Sequence, residues 1–149
     1  YVPVILSGGM FAPPTVGKAE CVKALSRIFD DATMTVVMHN AKFDMQVLAT
    51  NGYSGDYCCN IFDTMVAAWL IDSAAGGKSP YSLEALSEKH LHLKGIEYKE
   101  LVGKGQTFAD VPLEKAFEYG AEDSDFTWQL YLLFKAQIEE KNLHKLFFD

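Results

Sequence analysis

The first third of the chain alternates extended apolar runs with stretches of helical period. "YVPVILS" at residues 1–7 reads as a strand, and residues 17–30 carry Val22, Leu25, Ile28 and Phe29 on one helical stripe. "MTVVM" at 34–38 predicts a second strand. Residues 41–50 predict a helix closed by Asn51-Gly52, "YCCNIF" at 57–62 a third strand, and Thr64 to about Asp72 another helix. Alternation of this kind predicts an α/β sheet.

The second half reads as almost entirely helical. "AAGGKSPY" at 74–81 forms a turn, after which Ser82 is placed to cap a helix reaching about Leu91. The polar stretch "VGKGQT" at 102–107 precedes the longest helix, roughly 112–140, with Asp110 as its expected cap and Pro112 in its first turn. No internal repeat or low-complexity segment is visible. The chain opens directly on an apolar strand without Met and stops at "LHKLFFD", so both ends read as cut.

Two of these helices carry an acid on their apolar stripe. On 41–50, Asp44 falls with Phe43, Val47 and Leu48; on the long helix, Asp123 falls with Ala116, Tyr119, Phe126, Leu130 and Phe134. Burying a lone carboxylate costs several kcal/mol even after relaxation, so each needs a cation or a proton. No neighbour three or four residues away supplies one. Asp44 is flanked by Asn40, Ala41, Val47 and Leu48, and Asp123 by Tyr119, Gly120, Phe126 and Thr127. The plain alternative, a first-turn acid that favours the helix dipole, suits Asp44 better than the mid-helix Asp123.

Composition narrows the source of positive charge. The 149 residues, enough for one domain with a real core, carry a net charge of −7 and a single arginine, Arg27. This excludes a broad basic surface for nucleic acid and leaves few phosphate clamps. "DSAAGGKS" at 72–79 mimics a phosphate loop, but Asp72 stands where glycine is required and Pro80 blocks the helix that must follow, so Lys78 reads as a loop lysine. Cys58 and Cys59 are adjacent on a strand-like run and cannot bridge easily; with Cys21 they are expected to be reduced, buried thiols without a metal role. No signal peptide or run of 18 apolar residues is present, and a cytoplasmic protein is expected. Two inward acids from different helices then suit a hard divalent cation, and a two-metal site aligns an attacking water with a leaving oxygen at phosphorus.

"HNAKFD" at 39–44, "FDTMVAAWLIDS" at 62–73, "VGKGQTF" at 102–108 and "YGAEDSDFTWQL" at 119–130 together resemble the 3′-to-5′ exonuclease domains of bacterial DNA polymerase I. These form the proofreading, tyrosine-subtype branch of the ribonuclease H-like exonuclease superfamily. The likeness covers nearly the whole chain in order, and "LHKLFF" resembles the run leading into the polymerase domain. It implies a ribonuclease H-like α/β fold, a central mixed sheet flanked by helices with its N-terminal strands outside this chain, and one exonuclease domain over 1–149. It implies two divalent ions, Mg²⁺ or Mn²⁺, with Asp123 ligating the tighter ion and Asp44 serving the looser one. The Tyr119 hydroxyl would orient the attacking water. Asn40, Phe43 and Lys78 would face the substrate, Lys78 in the loop where the family often carries arginine.

The implied substrate is the 3′ end of single-stranded DNA, and the implied partner is a polymerase domain of the same parent chain, away from any membrane. The family's Asp-x-Glu pair lies upstream, so the 149-residue piece alone is expected to bind metal poorly and not to cleave DNA. Asp63 is expected to cap the helix after it, and Asp125 to lie off the site. Plainer roles stay open for Asn40 as a helix cap and Tyr119 as a core-edge residue. So do two other readings of the whole: a vestigial spacer beside a polymerase, and a ribonuclease D-like RNA exonuclease.

Overall fold

The computed structural model describes residues 2–4, 15–77 and 79–148. Helix α1 (Lys18–Phe29) leads into strand β1 (Thr35–Met38), helix α2 (Ala41–Thr50), strand β2 (Asn60–Asp63) and helix α3 (Thr64–Ile71). Then follow α4 (Leu83–Leu91), α5 (Tyr98–Leu101), a 3₁₀ turn (Phe108–Asp110), α6 (Leu113–Glu140) and α7 (His144–Phe148). The two strands pair in parallel, from Thr35 opposite Asn60 to Met38 opposite Asp63, with α2 as the crossover. Among the described residues this parallel pair is the whole sheet.

The expected α/β alternation is present, with helical bounds close to those the periodicity predicts. Helix α2 ends at Asn51, and Gly52 takes φ 102°. Ser82 caps α4, its hydroxyl accepting the Ala85 N–H at 3.3 Å. His92 closes that helix in the left-handed region at φ 58°.

Several expectations are corrected. Residues 2–4 are not strand, and the rest of "YVPVILS" lies outside the described residues. The third strand begins at Asn60 because Tyr57, at φ 48°, breaks the extended run. Cys58 is consequently exposed; Cys59 is buried and Cys21 half-buried, all three as free thiols. Asp110 does not cap α6. Its carboxylate accepts the Thr107 N–H at 2.8 Å and hydroxyl at 2.9 Å, which closes the 3₁₀ turn, and Pro112 stands at the start of α6.

The main core forms where α6 crosses α3 and α4. Leu130, Phe134 and Ile138 of α6 meet Phe62 of β2, Ala67 and Ala68 of α3, and Leu86 of α4. Fully burying a side chain such as Leu130 or Phe134 contributes about 1.5–3 kcal/mol. A second cluster joins Phe29, Tyr53 and Cys59, and the Tyr53 hydroxyl donates to Asp30 at 2.7 Å. Among the described residues no helix is long and apolar enough to cross a membrane.

Candidate active site

The candidate site lies at the carboxyl ends of the two parallel strands, where helix starts converge. Asp63, the last residue of β2, organises it. One carboxylate oxygen accepts the Met65 N–H at 2.9 Å and the Val66 N–H at 3.4 Å, capping α3 as expected. The same carboxylate accepts the Asn40 N–H at 3.0 Å and the Ala41 N–H at 2.8 Å. One side chain thus satisfies the first amides of two helices and fixes where α2 begins.

Asn40 can then serve another purpose. It sits at φ 63°, a conformation that asparagine tolerates better than most residues, and makes no side-chain cap. Asn40 borders the cleft, and although it stands at the N-cap of α2 its side chain makes no capping hydrogen bond. His39 is held just before it: Thr64 donates its hydroxyl hydrogen to the Met38 carbonyl at 3.1 Å, and His39 Nδ1 lies 2.8 Å from the Thr64 hydroxyl oxygen. With that hydrogen committed, Nδ1 is the donor. Burial lowers the His39 pKa, opposed by the charge of Asp63, so the ring is neutral at pH 7.

The cleft has a volume of about 650 Å³. Asp44 enters it from the first turn of α2, and Tyr119 and Asp123 enter from one face of α6. Both acids are half-buried. Desolvation raises the pKa of each; the charge of Asp63 adds to the effect at Asp44, and that of Glu84 at Asp123. The Tyr119 hydroxyl hydrogen-bonds the Asp123 carboxylate, which partly offsets the rise at Asp123. Burial and that acid push the Tyr119 pKa well above its ordinary value, so the phenol stays protonated and acts as a donor. The rings of Phe108 at 5.8 Å and Tyr98 at 6.5 Å flank Tyr119 and limit its rotation.

The apolar stripe on α6 behaves as expected: Ala116, Phe126, Leu130 and Phe134 are buried, while Asp125 is exposed and accepts a hydrogen bond from Gln129 at 2.7 Å. The stripe on α2 does not, because Phe43 is 60 % and Val47 44 % exposed. Asp44 therefore borders a cleft rather than a packed core. Phe43 is not among the residues lining that cleft, and Lys78 lies outside the described residues.

One participant escapes sequence reasoning. Glu84, in the first turn of α4, also lines the cleft. An acid two residues after a serine cap is ordinary helix chemistry, so nothing local marks it. No lysine or arginine lines the cleft among the described residues. Nor do any three His, Cys, Asp or Glu side chains among them stand close enough to hold one ion together.

Residues 8–139 match the family model described as 3′-5′ exonuclease. The chain belongs to the 3′-5′ exonuclease family. DNA polymerase I of Treponema pallidum (strain Nichols) is 45% identical over 123 residues, covering 83% of this chain and 12% of that protein. DNA polymerase I of Borreliella burgdorferi is 33% identical over 146 residues, covering 98% and 15%. A DNA polymerase of Escherichia phage T5 is 25% identical over 142 residues, covering 84% and 16%. The exonuclease-family chain thus spans less than a fifth of the length of these relatives. The resemblance to the exonuclease domain of DNA polymerase I holds, and the chain is a nuclease domain by family.

Proposed function

We propose that residues 1–149 form a proofreading 3′-5′ exonuclease domain with a ribonuclease H-like fold. It hydrolyses the 3′-terminal phosphodiester of single-stranded DNA beside a polymerase domain of the same protein. The observation that carries this reading is the convergence of Asp44 from α2 with Tyr119 and Asp123 from α6 in one cleft. The names of the relatives favour a DNA polymerase setting over the ribonuclease D-like alternative. Intact acids at 44 and 123 speak against a vestigial spacer.

The donor set fits hard divalent cations: two half-buried carboxylates, raised in pKa by desolvation, in a cleft that no described lysine or arginine lines. Asp123 and Asp44 would hold the ions. When bound, such ions activate a water and neutralise charge developing on the phosphate. The residues of this chain do the rest. Tyr119 remains a phenol, gives its hydrogen to Asp123, and is left with an oxygen lone pair for the attacking water, which it orients without deprotonating it. Asn40, held in place by its backbone, offers an amide to the substrate strand.

The test uses the full-length protein that carries this chain. Asp123→Ala and Asp44→Ala are each expected to slow trimming of a labelled single-stranded oligonucleotide by about 100-fold or more, with nucleotide incorporation retained. Trimming at the parental rate in both variants would overturn the assignment.

A further inference from the structure

We propose that Glu84 is a positioning residue of the same cleft, accepting hydrogen bonds from the water shell of a divalent cation seated on Asp123. The proposal rests on the function proposed above and deepens it. Three acids from three separate elements, α2, α4 and α6, border one cleft. Glu84 is exposed, whereas the two aspartates are half-buried. Its charge nevertheless reaches Asp123, Tyr119 and His39.

Geometry decides how Glu84 acts. Among the described residues no three acidic or imidazole side chains close on a single point, so Glu84 is not a direct third ligand. A cation such as Mg²⁺, held by one or two carboxylates, retains several waters whose hydrogens need acceptors. Among the described residues, Glu84 is the remaining carboxylate on the cleft wall able to take them. Its place is fixed from behind, because Ser82 caps α4 and the next turn of the helix, Leu86 and Ser87, is fully buried.

The charge has opposite effects in the two states. Without metal, Glu84 repels Asp123 across the cleft; with metal, it strengthens the hold on the hydrated ion. Glu84→Gln is therefore expected to weaken metal binding, while in the metal-free fold the repulsion it relieves and the helix-start charge it removes from α4 oppose each other. A merely structural glutamate would leave metal binding unchanged.

The experiment titrates Mn²⁺ into the metal-free full-length protein, following free Mn²⁺ by electron paramagnetic resonance. The binding lost in Asp123→Ala defines the site. Glu84→Gln should weaken that binding about 10-fold, and Glu84→Asp, which keeps the charge, should stay close to the parent. The Mg²⁺ concentration giving half-maximal trimming should rise by the same factor. Parental Mn²⁺ binding in Glu84→Gln, or equal loss in Glu84→Gln and Glu84→Asp, would overturn the role of Glu84 and leave the exonuclease reading intact. If Asp123→Ala removes no Mn²⁺ binding, the underlying reading fails instead.

Discussion

Asp123 is built to be uncomfortable when the cleft holds no cation. Burial raises its pKa above the ordinary value of 3.8, and Glu84 adds to the rise. A carboxyl whose folded pKa lies above its unfolded one stabilises the fold in its neutral form; that contribution is complete below the unfolded pKa and is lost as pH rises through the folded pKa. At pH 7 the ionised acid therefore costs stability. Asp123→Asn, which can still accept the Tyr119 hydrogen bond, is expected to raise the melting temperature of the metal-free protein at pH 7. The gain should vanish below about pH 4. In millimolar Mn²⁺ the order should reverse, because the parent alone keeps the ligand and gains stability from binding. Thermal melts at pH 3.5 and 7, with and without Mn²⁺, check both signs. Asp44 and Asp123 were legible in the sequence as residues out of place, because an acid on an apolar stripe is a local contradiction, and Tyr119 drew notice through the family resemblance. Glu84 was not, since an acid in the first turn of a capped helix contradicts nothing.

The elements divide by how much of their stability is local. Helix α6, long and strongly patterned, was legible nearly to the residue, as was α2 with its Asn-Gly stop. The four-residue α5, the 3₁₀ turn and α7 were not, because helices that short depend on tertiary packing rather than on periodicity. The reading of α2 also misjudged its faces: Phe43 and Val47 look like core residues in the sequence yet face outward. What the sequence half reveals is the cap. Asp63 is visibly placed to start α3, but its reach back across the parallel strand pair to the Asn40 and Ala41 amides needs the register of β1 against β2. Removing it should undo two helix starts at once. Asp63→Ala is expected to cost about 2 kcal/mol, roughly one for each cap, in urea unfolding. Asp63→Asn, which keeps one acceptor oxygen, should cost less.

Across the whole molecule, one helix carries both the proposed chemistry and the core. Tyr119 and Asp123 stand on the same face of α6 as Leu130, Phe134 and Ile138, so the site is only as well placed as that packing. Leu130 is fully buried among residues from β2, α3 and α4, and Leu130→Ala should cost about 2–5 kcal/mol in urea unfolding. That the α/β class was legible follows from the strand and helix periods of the first half. How many strands complete the sheet was not, because pairing partners are chosen by tertiary contact rather than by local pattern. The left-handed turn at Asn40 has a practical corollary for anyone dissecting this nuclease. Alanine there would disturb the bend and delete the amide together, confounding shape with chemistry, whereas glycine keeps the bend and removes only the amide.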